Sequence, residues 1–152
     1  MPAAGSAGFF RFGQTRTFRI RPWTRFRTSL QREASNRFGF SARRTLQLAQ
    51  ALYERHKALT YPRTDSRYLP NDYMATVKST IKNFSQLSSA KSGAFPTELR
   101  PFCDRIIDQD WVRPNRRVFD TSKVSDHFAI IPTGEHPPKH LDEAEQKLYD
   151  MV

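Results

Sequence analysis

Leu59-Thr60-Tyr61-Pro62-Arg63-Thr64-Asp65-Ser66-Arg67-Tyr68 is the densest run of chemistry in this 152-residue chain. Pro62 lacks a backbone donor and forbids a helix running through it, so Leu59 to Tyr61 reads as a brief extended piece. On an extended backbone, positions i and i+2 point to one face, which sets the Tyr61 phenol beside the Arg63 guanidinium. A tyrosine oxygen is a poor nucleophile at its ordinary pKa of about 10, and a cation that stabilises the phenolate improves it. A guanidinium so placed grips a phosphate bidentately while the phenol oxygen attacks its phosphorus. Thr64, Asp65 and Ser66 supply further polar groups. The same letters also suit an ordinary turn, with Asp65 or Ser66 capping the next helix and Tyr61 packed on the core. From composition alone the turn is the default.

Working outward, the flanks read as helices. Leu30 to Phe38 is a short helix closed by Gly39, the residue expected at a left-handed C-terminal position. Ser41 caps the next, Ala42 to about His56, with Leu46, Ala49, Leu52 and Tyr53 on its apolar face and Arg43, Arg44, Gln47 and Gln50 on the other. A third starts at Pro70 or Asn71 and runs to Phe84, lined by Met74, Val77, Ile81 and Phe84. Residues 85–96 form a small polar loop. Thr97 caps a fourth helix to about Asp108 that buries Leu99, Phe102, Cys103, Ile106 and Ile107. Arg117-Val118-Phe119 and Phe128 to Ile131 read as short strands flanking a Ser/Asp/His turn, and Asp142 caps a last helix. The expected class is a helix-rich α+β domain, compatible with a winged-helix build.

The chain carries 25 Lys plus Arg against 15 Asp plus Glu, a formal charge of +10 that points to a polyanion. Six of those charges are the arginines at 11, 16, 19, 21, 25 and 27, in a leader with no acid and no lysine. Phe9, Phe10, Phe12, Phe18, Trp23 and Phe26 interleave them without any period. The leader suits an organellar targeting peptide or a basic nucleic-acid-binding arm, but its few aliphatic residues favour a disordered or non-native start. The longest apolar run, Phe128-Ala129-Ile130-Ile131, falls far short of the roughly 18–20 residues of a membrane span. The single cysteine, Cys103, excludes an internal disulfide framework and a Cys-rich zinc site, and fits a reducing compartment. His136 and His140 have the spacing of a metal pair, but Pro137-Pro138 breaks the helix that spacing needs. Ser88-x-x-Lys91 and the sequon Asn83-Phe84-Ser85 are matches by letter only.

Two separated motifs overturn that default at Tyr61. Thr28-Ser29-Leu30-Gln31-Arg32-Glu33-Ala34, Gly39-Phe40-Ser41-Ala42, Thr45 and Ala49-Gln50-x-Leu52-Tyr53-Glu54 lead into Leu59-Thr60-Tyr61-Pro62-Arg63-Thr64-Asp65-Ser66. This run resembles the active-site tyrosine region of the type IA DNA topoisomerases, and Pro62 resembles the bacterial topoisomerase III branch. Lys123-Val124-Ser125-Asp126-His127-Phe128-Ala129-Ile130-Ile131-Pro132-Thr133 resembles that family's second signature. Order and spacing agree over roughly residues 28–152.

The resemblance implies an ATP-independent enzyme that cleaves and rejoins one strand of DNA through a 5′-phosphotyrosyl intermediate. Tyr61 matches the nucleophile, Arg63 the arginine that positions the scissile phosphate, and His127 the histidine near it. Gln31, Arg32, Arg43, Arg44, Thr64, Asp65 and Lys123 are the candidate DNA contacts, on the backbone of a single strand. The implied organisation is a leader (1–27), a CAP-like winged-helix tyrosine domain (28–135) and the start of a following domain (136–152). Family members bind Mg²⁺ through an acidic cluster in a Toprim domain and close a large arch. Those ligands are not expected in this chain, so its partners are DNA and the remaining domains, in a bacterial cytoplasm, with no membrane. The isolated chain is expected not to relax DNA. A non-catalytic winged-helix DNA-binding module, in which Tyr61 has no covalent role, is the alternative.

Overall fold

The computed structural model describes residues 26–87, 93, 95–134 and 138–152. Most of the leader, Ser88 with Lys91, and the His136 half of the histidine pair lie outside the described residues. The first helix, α1, spans Arg27–Phe38 and buries Leu30 and Ala34, one turn apart on its inner face. It starts earlier than the apolar pattern predicts. The Ser29 hydroxyl accepts from the backbone N–H of Phe26 at 3.1 Å, and Arg27 N–H bonds the carbonyl of Thr64 at 2.9 Å. Arg27, grouped with the leader by composition, is therefore the first helical residue. Gly39 ends α1 at φ +68°, a left-handed conformation in which a Cβ is disfavoured.

Ser41 caps α2, Ala42–Glu54, by accepting from Arg44 N–H, and this sets the helix phase. Of the expected apolar face Ala49 and Leu52 are buried, and Thr45 rather than Leu46 joins them. Thr45 enters the core because its hydroxyl donates to the Ser41 carbonyl at 3.0 Å, which leaves no unsatisfied donor. Leu46 and Tyr53 are half-buried. The remaining helices are α3, Met74–Gln86, led in by a 3₁₀ turn at Asn71–Tyr73, and α4, Arg100–Asp108, led in by a 3₁₀ turn at Thr97–Leu99. The last is α5, Glu143–Met151. Thr97 makes no capping bond; Pro101 sits at the start of α4, where a missing N–H costs little. Asp142 does cap α5, in a reciprocal pair with Glu145.

Helix α1 packs on α2, α2 on α5, and α3 on α4. The main core gathers Leu30, Ala34, Ala49 and Leu52 with Leu59, Ile130, Leu148 and Met151. A second core joins Phe84, Leu87, Phe95 and Cys103, and a third joins Leu69, Phe119 and Ala129. Along α4 only Cys103 is buried, while Leu99 and Ile107 are 40% and 42% exposed, since α4 lies against a single helix.

The expected strands do not form. Among the described residues the extended pieces meet at isolated bridges, which include Leu59 with Pro132 (antiparallel) and Leu69 with Phe119 (parallel). Residues 116–118 form a turn, and Pro132 has no N–H with which to continue a ladder. Among the described residues the architecture is thus helix-rich, with no strand. No helix among the described residues is long and apolar enough to cross a membrane.

Candidate active site

The segment 58–69 lies against 123–133, and Thr60 is the rivet between them. Its hydroxyl donates to the Ala129 carbonyl and accepts from Ile131 N–H, each at 2.9 Å, while its own N–H bonds Ile131 at 3.0 Å. Four residues on, the Thr64 hydroxyl donates to the His127 carbonyl at 3.2 Å and accepts from Ser66 N–H at 3.1 Å. Burial alternates along this run. Thr60, Pro62 and Thr64 are buried, whereas Tyr61 is half-buried and Arg63 and Asp65 are exposed. That period of two supports the extended reading and turns Tyr61, Arg63 and Asp65 outward.

Tyr61 stands between two rings. Its own ring lies 4.1 Å, centroid to centroid, from the imidazole of His127, tilted by 35°, and meets Tyr53 edge-on at 5.4 Å. His127 is exposed, so the fold holds it through its carbonyl and leaves the imidazole beside the phenol. Arg63 donates from Nε to the side-chain oxygen of Gln50 at 3.3 Å, and Gln50 in turn donates to Glu54. Arg63 thereby forms one wall of an open groove of about 600 Å³ along α2, lined also by Arg43, Gln47, Gln50, Glu54 and Arg55. A groove walled by three arginines, one of them two residues from the half-buried Tyr61, is a surface on which an anionic chain can lie.

The other expected contacts separate. Asp65 forms an ion pair with Arg27 at 3.0 Å and neither orients Arg63 nor caps a helix. Thr64 is buried and its hydroxyl is engaged, so it shapes the loop instead of facing a ligand. Gln31 donates to the Ala42 carbonyl at 3.3 Å and stitches α1 to α2. Arg44 lies 4.6 Å over the ring of Phe40. Arg32 is exposed on α1, and Arg43 joins Arg63 in the groove. Lys123 pairs with Asp120 at 3.4 Å and sits 4.8 Å over the ring of Tyr68. Sequence reasoning passed over Arg55, Tyr68 and the ring of Tyr53. Only the i, i+4 spacing of Gln50 and Glu54, with Arg55 following, hinted at a polar groove wall.

Among the described residues no three His, Cys, Asp or Glu side chains converge on a metal position. The described residues thus offer no cluster of three such ligands to the Mg²⁺ that the family resemblance implies.

A model of the DNA topoisomerase family matches residues 14–152. The chain is 43% identical over 126 residues to the DNA topoisomerase 3 of Bacillus cereus strain ATCC 14579, covering 82% of this chain and 16% of that protein. It is 42% identical over 128 residues to that of Bacillus licheniformis and 40% identical over 128 residues to that of Bacillus subtilis strain 168, with the same coverage. This chain therefore spans about a sixth of the length of those relatives. Both expected motifs fall inside the matched region, and with them the facing pair Tyr61 and His127. The chain belongs to the DNA topoisomerase family, on its type IA, topoisomerase III-like side.

Proposed function

We propose that this chain supplies the strand-cleaving tyrosine of a type IA topoisomerase. The observation that carries this reading is the 4.1 Å contact between the Tyr61 and His127 rings, with exposed Arg63 two residues from the tyrosine. The Tyr61 oxygen attacks a phosphorus of single-stranded DNA, forming a phosphotyrosyl bond to the 5′ side as the 3′-oxygen departs. The phenolic proton leaves and the departing oxygen takes one up, a transfer that the neighbouring imidazole is placed to relay. Arg63 holds the phosphate oxygens in its planar fork and offsets the charge that builds on them. Because one phosphodiester replaces another, reversal needs no ATP.

In this reading residues 28–135 are a CAP-like winged-helix module, and α5, expected to open a following domain, packs on α2 and completes the main core. Mg²⁺ and the arch come with the remaining domains, so the chain alone does not relax DNA. The test supplies those domains and Mg²⁺ in trans with labelled single-stranded DNA. A covalent adduct on a denaturing gel, lost in Tyr61→Phe, is the expected result. Tight DNA binding without an adduct would overturn it and favour a non-catalytic DNA-binding module.

A further inference from the structure

Beyond the cleavage residues, the same pair of segments gathers a second set of charges. The Ser66 hydroxyl bridges the carbonyls of Tyr68 and Lys123, at 3.4 Å to each, and accepts from Tyr68 N–H at 3.2 Å. Ala129 N–H also bonds the Tyr68 carbonyl at 3.0 Å. These bonds fix Tyr68 against the Lys123 segment. The Arg67 guanidinium then lies 5.4 Å from the centre of the Tyr68 ring and the Lys123 ammonium 4.8 Å from it. Two cations on one aromatic ring are ordered by it without being neutralised by it. Both side chains are exposed, and the Tyr68 ring is half-buried.

We propose that Arg67, Lys123 and the Tyr68 hydroxyl form a phosphate subsite for the single-stranded DNA that Tyr61 cleaves, holding another phosphodiester of the same strand. The assignment rests on the preceding reading of Tyr61 for its substrate. Arg67 supplies a fork for two phosphate oxygens, Lys123 a point charge and Tyr68 a hydroxyl donor. The Arg67 guanidinium beside it, followed by Lys123, holds the Tyr68 hydroxyl below the ordinary phenol range, which makes it a better donor to an anion. For Lys123, Asp120 is a competing anion among the described residues, paired with it at 3.4 Å. That pair is solvent-exposed on the lysine side and so worth little, and a phosphate displaces it. Asp120 has a second duty, accepting from Ser122 N–H at the start of a 3₁₀ turn, which an asparagine also performs.

The experiment measures binding of a labelled oligothymidylate to the full chain by fluorescence anisotropy, between about 50 and 200 mM salt. Arg67→Gln and Lys123→Gln are each expected to weaken binding by about three- to tenfold. Each should also lower the slope of log affinity against log salt by about 0.7, the value for one single-strand phosphate contact. Asp120→Asn is expected to tighten binding. Circular dichroism confirms that each variant is folded. Unchanged affinity and slope in folded Arg67→Gln and Lys123→Gln overturns the subsite, as does an absence of binding by the unsubstituted chain. Equal losses on a duplex of the same length overturn its assignment to a single strand. The adduct assay with Tyr61→Phe is independent of all these readings, so the subsite and the cleavage role can fail separately.

Discussion

The ring of Tyr61 faces the imidazole of His127 at 4.1 Å, although 66 positions separate the two in the chain. Two threonines produce that meeting. Thr60 binds both Ala129 and Ile131, and Thr64 binds the carbonyl of His127 itself. The two facing rings are thus set by neighbours that stay inside the fold, and the threonine hydroxyls are spent on backbone groups that would otherwise need a ladder.

His127 contributes its carbonyl to the fold and its exposed ring to the site, so the two roles separate in one substitution. His127→Ala is expected to leave the unfolding midpoint close to that of the parent. In the complemented cleavage assay it should lower the rate of adduct formation on the order of 10²-fold, the usual cost of losing a positioned proton-transfer group. A rate equal to that of the parent would remove His127 from the chemistry.

Among the described residues Arg63 donates one side-chain hydrogen bond, to Gln50, at a distance of 3.3 Å. Arg63→Ala should lower adduct formation by about 10²–10³-fold, as expected for a donor aimed at developing charge. Arg63→Lys should recover only part of that loss, because an ammonium lacks the planar fork. Gln50→Ala removes the bond that aims the guanidinium. It should weaken the apparent DNA affinity more than the maximal rate, which single-turnover measurements over a range of DNA concentrations resolve.

Local signals in the sequence translated well into structure. Gly39, Ser41 and Asp142 each sit at the helix boundary that their chemistry requires, and Tyr61 and Arg63 share the outward face that an extended i, i+2 pair predicts. What stayed hidden was long-range. Composition grouped Arg27 with the leader because its bonds to Thr64 and Asp65 reach across 37 and 38 positions. The runs 117–119 and 128–131 suggested strands, but strands need a partner along their length; Phe119 finds an isolated bridge to Leu69, and the bridge to Leu59 falls on Pro132, just past the second run. Thr45 displaced Leu46 from the core for a similar reason: its hydroxyl is satisfied within its own helix, a fact that hydropathy alone does not register.

Thr60 offers the sharpest stability test. It is 8% exposed and its hydroxyl both donates and accepts. Thr60→Val keeps the shape and leaves the Ile131 N–H and the Ala129 carbonyl without that partner. The expected cost is about 1–3 kcal/mol, measured by urea unfolding of the chain. Thr60→Ser keeps the hydroxyl and should recover most of it. If Thr60→Val unfolds at the parental urea concentration, the rivet between the two segments carries no stability.

Tyr149 gives the pH dependence. It is buried in the main core on α5, and burial, with Asp150 adding to it, pushes its phenol well above the ordinary value. The neutral form is thus the one the folded state accepts. In the unfolded chain the phenol ionises near its ordinary pKa of about 10. Above that pH the unfolded state gains by losing a proton that the folded state keeps, so stability contributed by Tyr149 is fully present at neutral pH and falls as pH rises past about 10. Urea midpoints measured at neutral pH and above pH 10 should show this decline in the parent. Tyr149→Phe should unfold close to the parent at neutral pH and lose part of the alkaline decline. An equal decline in the two proteins would place the alkaline sensitivity in other groups.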